Sequence, residues 1–132
     1  MAEKMELIWG SGSAPCWRAM IVLEEKGLQG YKSDIISFGK QEHKGEKVLK
    51  LNPRGQVPVF KDGDVVINES LAICDYLERK VPDKCPLYPT DLAQAAKVLQ
   101  RVQEGPEELQ KRKDAAANEI KRWEEYLEKV YV

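Results

Sequence analysis

Gln56-Val57-Pro58 constrains this chain more than any other stretch, because a proline enters what the flanking Val57, Val59 and Phe60 mark as a strand. Without an N–H it would break a central ladder, so it must stand at the strand's first residue or on a sheet edge. If the Val57-Pro58 bond is cis, Val57 turns its N–H and C=O outward, and an extended peptide can dock antiparallel to it by strand addition. About ten residues on, Asn68-Glu69-Ser70-Leu71 places a hydroxyl residue at the start of an apolar periodic run through Leu71, Cys74 and Leu77. The N–H, hydroxyl and helix dipole at Ser70 converge on any carboxylate placed there, which fixes one end of the docked peptide.

The rest of the first eighty residues reads as α/β. Glu6 to Trp9 is a short strand. Gly10-Ser11-Gly12-Ser13-Ala14-Pro15 is a turn leading into a helix with Trp17, Met20, Ile21 and Leu23 crowded on one side, and Gly27 ends it. Tyr31 to Ser37 forms a second strand, parallel to the first. His43 to Leu51 is a short polar helix, Val57 to Phe60 a third strand, and a tight turn at Gly63 leads to a fourth at Val65 to Ile67. A helix from Ser70 to about Lys80 closes this unit, assigned to residues 1–80.

Val81 to Pro89 holds three prolines in nine residues, which makes 81–90 a linker. Residues 91–132 read as helical. Thr90 or Asp91 caps a helix with Leu92, Ala95, Ala96, Leu99 and Val102 on its apolar face, Gly105-Pro106 interrupts it, and a second helix carries Leu109, Ala116, Ile120, Trp123, Leu127 and Val130. Two amphipathic helices cannot bury both faces alone and must pair with each other, the first unit or a second chain.

Composition narrows the partners. With 132 residues, 42% of them hydrophobic, and 21 basic against 22 acidic side chains, the chain is globular and has no basic run to contact nucleic acid or an anionic membrane. No stretch approaches the ~20 apolar residues of a membrane span, and the charged start Met1 to Glu6 reads as cytosolic. Cys16, Cys74 and Cys85 form no C-x-x-C pair, and His43 is the one histidine, so neither a disulfide framework nor a metal site is expected.

Trp9 to Arg18, Asn52 to Pro58 with Phe60, Lys61-Asp62-Gly63-Asp64, Asn68-Glu69-Ser70 with Ala72, and Leu87-Tyr88-Pro89 together resemble the glutathione transferase superfamily in order and spacing. The opening is most similar to the serine-type rho class, with theta and zeta next. The resemblance implies a thioredoxin-like N-terminal domain (βαβ-α-ββα) followed by a truncated helical region, and conjugation of the glutathione thiolate to hydrophobic electrophiles in cytosolic detoxification. It also implies a homodimer, possibly with exchanged helices. Glutathione is then a co-substrate and no metal is required.

The same resemblance assigns the site. Ser13, two residues before Pro15, takes the position of the catalytic serine, with Ser11 as the alternative. A thiol of pKa near 8.5 is only slightly ionised at neutral pH, and a hydroxyl at a helix mouth stabilises its anion. Gln56, Val57, Pro58, Glu69 and Ser70 bind glutathione. His43 stands where a theta-class histidine holds the glycine carboxylate, with Lys44 or Lys40 able to substitute. Arg18 could bias the field toward the thiolate, though an exposed helix charge is the simpler reading. Cys16 in the first helical turn suggests thiol transfer, but the redox classes place their cysteine directly before the proline, where this chain has Ala14. Cys16 therefore reads as a small buried apolar residue, and Trp17, Trp123 and Tyr126 as helix contacts. Only about forty residues follow Pro89, less than the helical domain usual in the family. The alternative is thus a non-catalytic glutathione-binding or assembly module lacking a complete electrophile pocket.

Overall fold

The computed structural model describes residues 2–103, 111, 114–118, 120–122 and 125. They fall into two compact units, 1–87 and 88–132. The first opens with a 3-10 turn at Ala2–Lys4. It continues through β1 (Met5–Gly10), α1 (Ala14–Glu25), β2 (Lys32–Ile36), a second 3-10 turn at Glu42–Lys44, α2 (Glu46–Leu51), β3 (Val59–Asp62), β4 (Val65–Ile67) and α3 (Ser70–Lys80). The sheet order is β2-β1-β3-β4, with β1 and β2 parallel and the other pairs antiparallel. This is the thioredoxin-like arrangement.

Period-2 alternation explains the two-sided core. Met5 and Leu7 of β1 and Phe60 of β3 point to one face, where Ala19, Val22 and Leu23 of α1 and Ile73 and Leu77 of α3 pack. Ile8 and Val59 point to the other and meet Ile36 of β2 and Val48 of α2. Each large side chain so enclosed contributes about 1.5–3 kcal/mol by leaving water. Glu6, on the α2 face, is flanked in register by Lys32 of β2 and Lys61 of β3, and pairs with both at 3.1 and 3.7 Å. At the end of α1, Gly27 (φ +63°) allows the Gly27 N–H to reach the Glu24 carbonyl and the Leu28 N–H to reach the Leu23 carbonyl, both at 2.9 Å.

Two elements differ from the expectation by more than a residue at an end. The third strand begins at Val59 rather than Val57, because the Val57-Pro58 bond is cis and the ladder to β1 starts only with the Ile8–Val59 pair. Since β3 lies between β1 and β4, the edge placement for Pro58 is excluded, and the proline sits just ahead of the strand. The helix expected over His43 to Leu51 is divided at Gly45, whose extended backbone (φ −76°, ψ 165°) ends the 3-10 turn and caps α2.

In the second unit, α4 spans Leu92–Gln103 and residues 114–118 and 120–122 are helical. Asp91 is the cap, its Oδ2 accepting from the Gln94 N–H at 2.9 Å. Ala95 and Val98 are half-buried, while Leu92 and Leu99 are exposed. The Gly105-Pro106 break, Leu109, Trp123, Tyr126, Leu127 and Val130 lie outside the described residues. Among the described residues no helix is long and apolar enough to cross a membrane.

Candidate functional site

Asn52 builds one wall of the site. Its buried amide accepts from the Arg54 N–H (3.1 Å) through Oδ1 and donates from Nδ2 to the Gln56 carbonyl (2.9 Å), so residues 52–56 close on themselves. Gly55 (φ +62°) lies so close to the Glu42–Lys44 turn that a Cβ there would come within 2.8 Å of Lys44 Cδ and 3.0 Å of the His43 carbonyl. Lys44 Nζ donates to the Arg54 carbonyl at 3.0 Å, tying the two loops together. The cis bond follows, and among the described residues the Val57 N–H and C=O take no part in the hydrogen bonds that organise this loop or the β1–β3 ladder. A ledge of unused main-chain groups results.

Two helix mouths face the ledge. Ser13 is the N-cap of α1, and its Oγ accepts from the Cys16 N–H at 3.4 Å. Because the oxygen is the acceptor, the hydroxyl proton stays available to a ligand. Ser70 is the first residue of α3 rather than its cap; the cap is Glu69, whose side chain makes no capping bond. Buried Ser70 instead accepts from Arg18 Nη1 through Oγ at 3.2 Å. Glu69 turns outward to Arg54, 3.0 Å from its Nη1.

A cavity of about 500 Å³ connects these features. Ser13, His43 and Gln56 line it, as do Val57, Pro58, Glu69 and Ser70, so all the binding residues expected from the sequence meet there together with the favoured serine. Ser11 is exposed and does not line it, and of the two lysines only Lys44 does. Arg18 proves to be a wall of the cavity instead of a solvated helix charge. Cys16 is fully buried and outside the lining. Burial pushes the Cys74 thiol up to about 11, with the Arg18 charge partly opposing.

Sequence reasoning missed Asn68 and Phe38. Asn68 donates from Nδ2 to the Leu51 carbonyl at 3.2 Å while its Oδ1 is buried without a partner; its place beside Glu69 was the available signal. Phe38 meets the His43 ring edge-on at 5.2 Å, and nothing in its local pattern marks it. His43 Nδ1 is likewise buried, and neither it nor Asn68 Oδ1 has a hydrogen-bond partner among the described residues. No cluster among the described residues is arranged to hold a metal ion. With Arg18, His43 and Lys44 around a main-chain ledge, the cavity suits an extended, peptide-like anion.

Residues 12–80 match the family described as glutathione S-transferase, N-terminal domain. Glutathione S-transferase A of Pleuronectes platessa is 44% identical over 98% of this chain and 68% of its own length. The 153 aligned positions exceed the 132 residues here, so that relative carries residues without a counterpart in this chain. The crystal structure of a glutathione S-transferase from the Antarctic clam Laternula elliptica is 59% identical, with a TM-score of 0.68 over 74% of this chain and 44% of its own. A glutathione transferase homologue from Sulfitobacter with bound glutathione is 29% identical, with a TM-score of 0.68 over 76% of this chain and 47% of its own. The chain thus spans less than half of either solved structure. Fold, cavity and relatives meet in one conclusion: this chain belongs to the glutathione S-transferase family, a family of enzymes.

Proposed function

We propose that this chain binds glutathione along the Val57 ledge and activates its thiol at Ser13 for transfer to an apolar electrophile. The observation that carries the reading is the single cavity joining the cis Val57-Pro58 ledge to the mouths of α1 and α3. The cysteinyl main chain of glutathione pairs with the Val57 N–H and C=O. The γ-glutamyl carboxylate meets the Ser70 N–H and hydroxyl, with Gln56 and Glu69 bordering that end. The glycine carboxylate lies toward His43 and Lys44. The Ser13 hydroxyl donates to sulfur, and the α1 dipole favours the anion over the neutral thiol. One pKa unit requires about 1.4 kcal/mol, within reach of one charge-assisted hydrogen bond. The thiolate then forms the S–C bond by addition, or by displacement of the electrophile's leaving group.

The cavity lining, mainly polar, favours the tripeptide over an apolar acceptor, and so supports a second reading as a glutathione-binding module without turnover. A homodimer, in which a second chain covers the apolar faces left by the short helical region, belongs to the same reading. Glutathione titration followed by Trp fluorescence, with conjugation of an aryl halide assayed on the same sample, separates the readings. Binding with turnover supports the transferase, binding alone supports the module, and absence of binding overturns both. Sedimentation at micromolar concentration checks the dimer, which a clean monomer would refute.

A further inference from the structure

We infer that Arg18 is a positioning residue of the carboxylate subsite: it takes the Ser70 hydroxyl oxygen as its acceptor and so turns the Ser70 proton toward the ligand's carboxylate. This deepens the glutathione reading and rests on it. The side chain crosses from α1 to the first turn of α3, 3.2 Å from Ser70 Oγ, and lines the cavity. A serine hydroxyl has one proton to give and lone pairs to receive. With a guanidinium donating to the oxygen, the proton is left for a group inside the cavity.

The one acidic side chain on the cavity wall among the described residues, Glu69, is engaged elsewhere. Among the described residues Arg18 forms no ion pair, α3 carries no acidic residue in its first turn, and the Glu69 carboxylate is engaged by Arg54 on the exposed side. A cation beside a helix N-terminus is unfavourable until a negative charge sits between them. The γ-glutamyl α-carboxylate is the group of glutathione that answers this arrangement, and Arg18 acts on it through Ser70.

The test is calorimetric titration of the full chain and its Arg18→Met, Ser70→Ala and doubly substituted variants. Each is titrated with glutathione and with 4-aminobutyryl-cysteinyl-glycine, which lacks that carboxylate. Arg18→Met, which keeps the apolar stem, should raise the Kd for glutathione about tenfold, the scale of one charge-assisted hydrogen bond, and leave the analogue within about twofold. Ser70→Ala should cost less in the Arg18→Met background than in the native one. Unchanged glutathione affinity, or equal losses for both ligands, overturns the inference while leaving the glutathione reading intact. Failure of the native chain to bind glutathione overturns both. Should Arg18→Met not fold, Arg18→Lys replaces it, with about a threefold loss expected for glutathione alone.

Discussion

The ammonium of Lys26, its side chain wholly enclosed, lies 2.8 Å from Glu78 Oε2 and 3.2 Å from the Val81 carbonyl, joining the end of α1 to the end of α3. Glu78 keeps contact with water, its side chain 16% exposed, and also accepts the Leu87 N–H. The two partners are therefore unequal. Removing Glu78 strands a buried cation, whereas removing Lys26 leaves a carboxylate that water still reaches. Glu78→Ala should destabilise by about 3 kcal/mol and Lys26→Met by about half of that. Urea unfolding of both variants measures the order, and a larger loss for Lys26→Met refutes the asymmetry.

A second polar lock sets a pH window. Asp62 Oδ2, at the end of β3, accepts from Lys80 Nζ at 2.6 Å and Tyr76 Oη at 2.7 Å. The Lys80 bond above all, then the Tyr76 bond, holds the Asp62 carboxyl below its ordinary 3.8, against the opposing effect of burial. Such a group adds stability that is present above pH 3.8 and is lost as the pH falls through its lower folded value. The Asp62 bond likewise raises Lys80 above 10.5, so the lysine's contribution lasts until the pH rises through that higher value. Asp62→Asn should cost about 1–2 kcal/mol at neutral pH. The gap from the native chain should close below pH 3.8 and above 10.5. A gap that stays constant between pH 7 and pH 3 contradicts the assignment.

Ser13 and Ser11 are separable because only Ser13 caps a helix and lines the cavity. Ser13→Ala loses the cap, worth about 1 kcal/mol of stability, and the proposed bond to sulfur. Conjugation should fall by about 10- to 100-fold, glutathione affinity by less than about threefold, and the bound thiol should titrate at higher pH. Ser11→Ala should leave all three unchanged. Assays of kcat/KM, Kd and thiolate absorbance against pH decide it, and equal losses of rate and affinity in Ser13→Ala would remove the serine from its role.

What was legible in the sequence was what the backbone dictates. Pro58 announced the interrupted ladder, and the run from Ser70 announced α3 with both ends correct. Side-chain detail was less accessible. Arg18 looks like any helix charge until α1 and α3 are packed and Ser70, 52 residues away, is found beside it. Phe38 takes part through a contact that no local spacing encodes, and Asn68 through a bond to the Leu51 carbonyl signalled only by its place beside Glu69. The division of the expected 43–51 helix at Gly45 follows glycine's low helical propensity, a local signal that the reading of 43–51 as one helix passed over.

Gly10, the last residue of β1, provides a test of how the sheet holds the site. It is buried, and a Cβ there would overlap Cε2 and Cζ of the Phe38 ring, so an alanine is incompatible with the present ring position. Phe38 lines the cavity and packs its ring against His43. Gly10→Ala must therefore push the phenyl ring outward, and His43 loses its edge-on neighbour. Because Phe38 is exposed, the ring can swing toward solvent and the cost in stability should fall at or below the lower end of the about 1–3 kcal/mol of core overpacking. The affinity for glutathione should drop severalfold while that for a dipeptide lacking the glycine, γ-glutamyl-cysteine, changes little, since the role proposed for His43 is at the glycine end. Paired titrations with the two peptides measure the difference. An equal loss for both would show that Phe38 supports the ledge as a whole rather than His43 in particular.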